Sequence, residues 1–183
     1  FCMAEIRAVR KYSDKPATIN MMEFFRPLNY YKFAKQLDII SWDSYPQWHR
    51  EPDDRDTAMR TAACHTLMRS LKKAPFLLME STPSIVNWKD VTTQKRPGMH
   101  ELSSLQAVAC GSNSVHYFQW RNSRGGGEQF PGAVVDHRNG SNTRVVREVM
   151  ALGERPGRVP DAVYPSCDRH RVAILFNWDN WWA

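Results

Sequence analysis

The sequence has 183 residues, of which 42% are hydrophobic and 24% are charged, a composition typical of a globular domain large enough to bury one core. Its formal net charge of +6 comes from Lys and Arg residues scattered among Asp and Glu, without the basic run of a nucleic-acid-binding arm, so we expect no nucleic-acid partner. No apolar stretch approaches the roughly 18 residues of a membrane-spanning helix, so we expect no membrane partner either.

Patterns typical of strands and of helices alternate along the chain. In order, they predict a strand over 15–20, a helix over 28–38, a strand over 39–46, a helix over 55–73, a strand over 75–80, a helix over 99–111, a strand over 114–120 and a helix over 141–155. This alternation predicts an α/β fold with a parallel sheet. Four βα units are half of a (β/α)8 barrel, so we expect a partial TIM barrel.

The end of the sequence changes character. Prolines and a glycine among polar residues over 156–169 indicate a linker, and the apolar run that follows predicts a strand. We therefore expect a barrel unit over 1–155 and the start of a second domain over 170–183.

The four cysteines predict neither a disulfide framework nor a zinc site. They lie far apart, without a CxxC pair or Cys/His ligand spacing, at Cys2, Cys64, Cys110 and Cys167. Free thiols are typical of a reducing compartment, and the first residues lack the order of a signal peptide. We expect a cytoplasmic protein that needs no cofactor.

Polar and aromatic side chains gather where each predicted strand ends. They are Asn20 on the first strand, Asp43 and Tyr45 on the second, Glu80 on the third, and Gln119 and Arg121 on the fourth. Because the carboxyl ends of parallel strands meet at one edge of a sheet, we expect a functional site there.

Glu80 ends a short apolar run, FLLME, and is the most informative of these residues. A carboxylate in this place can be a nucleophile, a general base, a metal ligand or the partner of an arginine, and all four roles stay open. No His or second carboxylate follows it at ligand spacing, which weighs against a metal site. Arg121 and Tyr45 are candidates to keep it ionised.

Flat aromatic faces near Glu80 favour a sugar as the ligand. Trp88 and Phe118 suit the packing of a pyranose ring, although each aromatic taken alone is more typical of a core. Hydrogen-bonding groups for sugar hydroxyls are offered by Asn87, Gln119, Arg121 and Glu128. Glycines 125–127 lack the Lys and Ser or Thr of a phosphate-binding loop, and no G-x-S-x-G motif occurs.

Three stretches closely resemble one protein family: IISWDSYP (39–46), FLLMESTPSIVNW (76–88) and KRPGMHELSSLQAVACGSNSVHYFQWRNSRGGGEQFPGAVVDH (95–137). They are similar to the later part of the catalytic barrel of glycoside hydrolase family 42, the bacterial β-galactosidases. The resemblance covers nearly the whole chain. It implies the fifth to eighth barrel strands, followed by the first strand of a flavodoxin-like domain that helps to build a homotrimer of the full-length parent.

The resemblance also implies a retaining mechanism on β-galactosides, with no metal among these residues. Glu80, in the MEST motif, matches the nucleophile. Residues that match the galactose subsite are Tyr45, Trp88, Phe118 and Glu128. The acid/base glutamate of the family follows an Asn at the end of the fourth strand, and no Asn-Glu pair here matches it, so we expect it upstream.

Pro131 departs from the family pattern. It stands in EQFPGAVV, where members usually carry His in FHGAVV. Two alternatives stay open: a homologue that binds galactosides without cleaving them, which Pro131 favours, and a barrel glycosidase specific for another sugar such as glucose or arabinose.

Overall fold

Four parallel strands form one sheet whose order follows the chain: β1 (Asn20–Met22), β2 (Ser41–Asp43), β3 (Phe76–Glu80) and β4 (Ser112–Val115). The computed structural model describes residues 1–46, 48, 54–86, 92–130, 132–155 and 171–183. Its helices are α1 (Cys2–Val9), α2 (Tyr30–Ala34), α3 (Asp54–Lys72), α4 (Met99–Ala109), α5 (Arg144–Gly153) and α6 (Trp178–Trp182). This arrangement confirms the predicted α/β fold with a parallel sheet.

The main core joins the sheet to α3. Trp42 on β2 and Phe76 on β3 are fully buried, and the ring of His65 on α3 lies between them, with centroids 4.9 Å and 5.5 Å away. Burial lowers the pKa of His65 to about 4, so the imidazole is neutral at neutral pH. A neutral ring packed between two aromatic residues fixes α3 on the two central strands.

Helix α2 is shorter than the predicted helix over 28–38. Asn29 caps its start by accepting a hydrogen bond from the backbone two residues further on. At its other end Lys72 Nζ donates to the carbonyl oxygens of Ala34, at 3.0 Å, and Leu37, at 2.8 Å. Because α2 is short, these carbonyl oxygens lack partners within the helix, and a lysine of α3 supplies their hydrogen bonds.

Strands β1 and β4 are displaced from the strands predicted over 15–20 and 114–120. The first overlaps its prediction only at its first residue. β4 begins two residues early because Phe76 donates a backbone hydrogen bond to Gly111, at 3.3 Å. Gly111, at φ +103°, turns the chain straight from the end of α4 into the sheet.

The prediction of a strand near the end of the chain is wrong for the described residues 171–183. Residues 171–177 pair with no described strand, and α6 follows them, capped by Asn177. Val172, Ile174 and Leu175 are exposed. Their apolar pattern is typical of a strand, but a strand also needs a partner, and none of the described strands pairs with this segment. The proposed linker over 156–169 lies outside the described residues.

Instead of standing apart, the final aromatic residues pack on the α/β unit. Trp178 is 1% exposed, and its ring contacts those of Tyr30, at 5.1 Å, and Tyr31, at 5.2 Å. Its indole N–H donates to the carbonyl of Phe25, at 3.2 Å. Trp178 thus belongs to the same core as the sheet.

We predict that Trp178→Ala lowers the free energy of unfolding of the chain by about 3–5 kcal/mol, because it removes a fully buried indole and leaves a cavity. Urea unfolding followed by circular dichroism measures the loss. Trp120→Ala is the matched control, since Trp120 is 69% exposed, and it is expected to change stability by no more than about 0.5 kcal/mol. Equal midpoints for the two variants would contradict this packing, and Trp178→Phe provides a milder test if the alanine variant does not fold.

Candidate active site

An open cavity of about 530 Å³ lies at the carboxyl ends of the strands. It is lined by Met22 at the end of β1 with Glu23, Phe24 and Phe25 after it, Asp43 at the end of β2 with Tyr45 after it, Glu80 at the end of β3, and Phe118 and Glu128 after β4. Each lining residue thus ends a strand or lies in the segment that follows one, as expected for a parallel sheet.

Glu80 is the last residue of β3 and points into this cavity. Tyr45 Oη donates a hydrogen bond to Glu80 Oε2, at 2.6 Å, and Asn20 Nδ2 donates to Glu80 Oε1, at 2.9 Å. Each carboxylate oxygen therefore accepts one hydrogen bond, from β1 in one case and from the segment after β2 in the other. Among the described residues, no arginine forms an ion pair with Glu80.

Strand pairing explains why these side chains meet. Asp43 and Glu80 are register partners at the ends of β2 and β3. The backbone N–H of Ser44 donates to the carbonyl of Glu80, at 2.9 Å, which carries the pairing one residue beyond β2 and presents Tyr45 to the cavity. Burial and the hydrogen bond to the Glu80 carboxylate both raise the pKa of the Tyr45 hydroxyl, which keeps it a hydrogen-bond donor.

Asp43 is a second carboxyl group beside Glu80. Burial, and then the negative charge of Glu80, raise its pKa to about 7, while a hydrogen bond from Asn20 acts in the opposite direction. Its Oδ1 atom is buried without a hydrogen-bond partner. The sequence placed Asp43 at a strand end but gave it no role, because the register that brings it beside Glu80 is set by the sheet.

The structure brings Tyr45, Phe118 and Glu128 together around Glu80. Phe118 is held by its backbone N–H, which donates to the carbonyl of Ser81, at 2.9 Å. Gln119 Nε2 donates to the backbone carbonyl of Glu128, at 2.9 Å, so Gln119 fixes the loop that carries this carboxylate.

Other residues predicted for the site lie elsewhere or outside the described residues. Arg121 bridges Val135 through its backbone and does not line the cavity, so its predicted role beside Glu80 is wrong for this structure. The expected sugar-stacking residue Trp88, its neighbour Asn87, and Pro131 fall outside the described residues.

The segment that follows β1 is a wall that sequence reasoning missed. Phe24 lines the cavity with one side and packs on the C-terminal aromatic residues with the other, 5.2 Å from Phe176 and 5.9 Å from Trp181 between ring centroids. The cluster MMEFF directly after Asn20 was an available signal, since it follows a strand end.

A buried lysine holds the loop that follows Glu80. Lys95 is 2% exposed, its Nζ donates to the carbonyl of Thr82, at 2.8 Å, and its backbone N–H donates to the carbonyl of Ser84, at 3.1 Å. Burial lowers the pKa of Lys95 to about 8. The loop after the carboxylate is thus tied to the segment that precedes α4.

Within the described ranges, no group of three or more His, Cys, Asp and Glu side chains is arranged to hold a metal ion. The same residues contain no helix long and apolar enough to cross a membrane.

Comparison with known proteins assigns the chain to a family. A family model of glycoside hydrolase family 42, described as Beta-galactosidase, matches residues 1–157, the range that contains every residue lining the cavity. The chain belongs to the glycoside hydrolase 42 family. It is 50% identical over 184 residues to Beta-galactosidase BglY of Alicyclobacillus acidocaldarius, which covers 100% of the chain and 27% of that relative.

Solved structures of β-galactosidases superpose closely on the chain. A cold-adapted β-galactosidase from Rahnella sp. R3 gives a TM-score of 0.91 at 52% identity, covering 99% of this chain and 27% of that one. A β-galactosidase from Bacillus circulans sp. alkalophilus gives a TM-score of 0.86 at 39% identity, covering 99% and 26%. The chain therefore spans about a quarter of the length of these relatives.

We predict that Lys95→Met removes a pH dependence from the stability of this family 42 chain. Because the folded-state pKa is about 8 and the unfolded value 10.5, the unfolded chain binds more protons between these pH values, and wild-type stability rises with pH there by about 3 kcal/mol. Methionine does not titrate, so this rise is absent from the variant.

Urea midpoints of both proteins measured from pH 7 to pH 10 check the Lys95 prediction. The stability of the wild type relative to Lys95→Met should increase as the pH rises above about 8. A constant difference across the range would show that Lys95 is not buried as described.

Proposed function

We propose that this chain supplies the nucleophile and part of the galactose subsite of a retaining β-galactosidase. The observation that carries the proposal is Glu80, a carboxylate at a strand end, open to a cavity of about 530 Å³, with a side-chain donor on each oxygen. Family membership and the names of the relatives support a β-galactoside as the substrate. Tyr45, Phe118 and Glu128 line the subsite in this proposal, together with Trp88.

In the proposed first step, a Glu80 oxygen attacks the anomeric carbon of galactose. The C1–Oε bond forms as the glycosidic C1–O bond breaks, and a second carboxyl group gives its proton to the departing oxygen. That group then takes a proton from water, whose oxygen attacks C1 and releases galactose from the Glu80 ester. Asn20 and Tyr45 orient Glu80 for the attack, since their donors occupy both of its oxygens in the free site.

The second carboxyl group is proposed to come from another part of the complete protein. Three carboxyl side chains besides Glu80 line the cavity, and none suits the role. Asp43 is a strand neighbour of Glu80 on the same floor, and Glu23 forms an ion pair with Arg60, at 3.0 Å. Glu128 matches a subsite residue of the family. We therefore expect the 183-residue chain alone not to hydrolyse galactosides.

The architecture of the complete protein follows from the same proposal. We infer that β1 to β4 are the fifth to eighth strands of a (β/α)8 barrel and that residues 170–183, although the described residues 171–183 form no strand, begin a flavodoxin-like domain of a homotrimer. A cytoplasmic location agrees with the free thiols of Cys2, Cys64 and Cys110. The proposal needs no metal or other cofactor for the sugar chemistry of Glu80.

We predict that Glu80→Gly in the complete protein lowers kcat for nitrophenyl β-galactoside by more than about 10⁴-fold, because the nucleophile is lost. Added azide should restore turnover and yield α-galactosyl azide, since a small anion can occupy the space left by the carboxylate. Glu154→Gln is the control, because Glu154 is exposed directly after the last residue of α5 and does not line the cavity.

Other outcomes would contradict the assignment of Glu80 or favour one of the two alternatives. Retained activity in Glu80→Gly, or rescue with a β-configured product, would exclude it as the nucleophile. Absence of turnover in the wild type, with galactosides still bound, would favour the non-catalytic alternative. Faster turnover of nitrophenyl glucosides or arabinosides would favour another sugar.

We predict that Tyr45→Phe lowers kcat/KM by roughly 10- to 100-fold, because a hydrogen bond to a charged group contributes about 1.5–3 kcal/mol. Tyr31→Phe is the matched control: its hydroxyl donates to the carbonyl of Phe176, at 3.1 Å, away from Glu80. Steady-state kinetics of the two complete proteins check the prediction. Equal values would show that the 2.6 Å contact between Tyr45 and Glu80 does not support catalysis.

A further inference from the structure

We propose that, below neutral pH, Asp43 is an uncharged carboxylic acid in the free enzyme and a positioning residue that leaves the negative charge of the cavity floor on Glu80. The inference rests on the proposed role of Glu80 and extends it to a residue with no assigned part in the reaction. The floor consists of Asn20, the first residue of β1, Asp43, the last residue of β2, and Glu80, the last residue of β3.

The register of β2 and β3 is the first observation behind the proposal. Asp43 and Glu80 are partners at the ends of these two strands, and Asn20 Nδ2 donates to Glu80 Oε1, at 2.9 Å. Two carboxyl groups that lie side by side on paired strands are stable when one of them is protonated.

The second observation is that nearby donors are already used. Tyr45 Oη donates to Glu80, and Tyr30 Oη donates to the backbone carbonyl of Met22. Asp43 Oδ1 is buried with no partner. Because an ionised carboxylate is disfavoured when one of its oxygens is buried without a donor or a cation, Asp43 keeps its proton below about pH 7.

The charges around Asp43 act in the same direction. On the elements that face it, the titratable groups are Tyr30 on α2, Tyr45 after β2 and Glu80 on β3, with Glu23 and Glu128 on the cavity wall. No lysine, arginine or histidine lines the cavity among the described residues. The negative charge of Glu23 on this wall is paired with Arg60, at 3.0 Å.

The proton on Asp43 has a consequence for catalysis. When Asp43 ionises near pH 7, a second negative charge appears beside the nucleophile and competes with it for Asn20. Reactivity of Glu80 then falls on the alkaline side. Once Glu80 is an ester in the galactosyl-enzyme, its charge is gone, and the pKa of Asp43 should fall because the repulsion that raised it has been removed.

The experiment uses 2,4-dinitrophenyl β-galactoside and the complete protein from pH 5 to pH 9. Its leaving group departs without protonation, so the pH profile of kcat/KM reports on Glu80 and its neighbours and not on the general acid. The wild type is expected to lose activity as the pH rises through about 7. Asp43→Asn, a neutral mimic of the acid, should lose only about 3- to 10-fold at pH 5 and lack this alkaline decline.

Two further variants separate positioning from simple packing. Asp43→Ala removes the contact with Asn20 and should lose roughly 10- to 100-fold at every pH, so that asparagine rescues it. Asn20→Ala removes the hydrogen bond that lowers the pKa of Asp43, so its alkaline decline should move to higher pH. This variant keeps Asp43 and provides the test if the Asp43 variants do not fold.

Infrared spectroscopy observes the proton directly. The difference spectrum of wild type minus Asp43→Asn should show a carboxylic-acid carbonyl band that is present at pH 5 and disappears as the pH rises through about 7. In enzyme trapped with a 2-fluorogalactosyl inhibitor, the band should disappear at lower pH, an effect that a structural role does not predict.

An Asp43→Asn variant that loses more than about 10³-fold at all pH values while remaining folded would overturn the proposal, since it would show that the charge of Asp43 is needed. A wild-type spectrum without the acid band at pH 5 would overturn it too. Failure of the proposed function is a different result: Glu80→Gly would then keep its activity, whatever Asp43→Asn does.

Discussion

The structure of the site depends on the parallel pairing of β2 with β3, which ends with Asp43 beside Glu80. This pairing carries two carboxyl groups to the same edge of the sheet and places Tyr45 within 2.6 Å of one of them. Like charges this close are unfavourable in a partly buried place unless donors or protons compensate. Asn20 and Tyr45 donate hydrogen bonds to Glu80, and the proposed proton on Asp43 removes the second negative charge.

The order of the elements was predictable because hydrophobic period and chain order are local properties. The helices over α3, α4 and α5 and the strand β3 lie where their patterns indicate them. Helix α1 gave no such pattern because it buries no residue completely. The C-terminal apolar run was misread for a related reason: Trp178 packs against Tyr30, a contact with a residue nearly 150 positions earlier that no local period reveals.

The candidate site was predictable in its membership more than in its chemistry. Glu80 and Tyr45 were predicted from their places at strand ends, Phe118 and Glu128 from the groups that a sugar needs and from the family resemblance, and the fold brings all four to one cavity. The donor expected from Arg121 proved to be Asn20, and Asp43 acquired its raised pKa only through register and burial. Such effects depend on distances between strands, which a sequence contains only indirectly.

The C-terminal aromatic residues extend the site beyond the sheet, since Phe176 and Trp181 support Phe24 in the cavity wall. The whole account nevertheless depends on one covalent bond. Treating the complete protein with a 2-fluorogalactosyl inhibitor and mapping the modified peptide by mass spectrometry tests it most directly. The account predicts one galactosyl ester, on Glu80 in the sequence FLLMEST. A label on another carboxylate, in a protein that turns over galactosides, would contradict it.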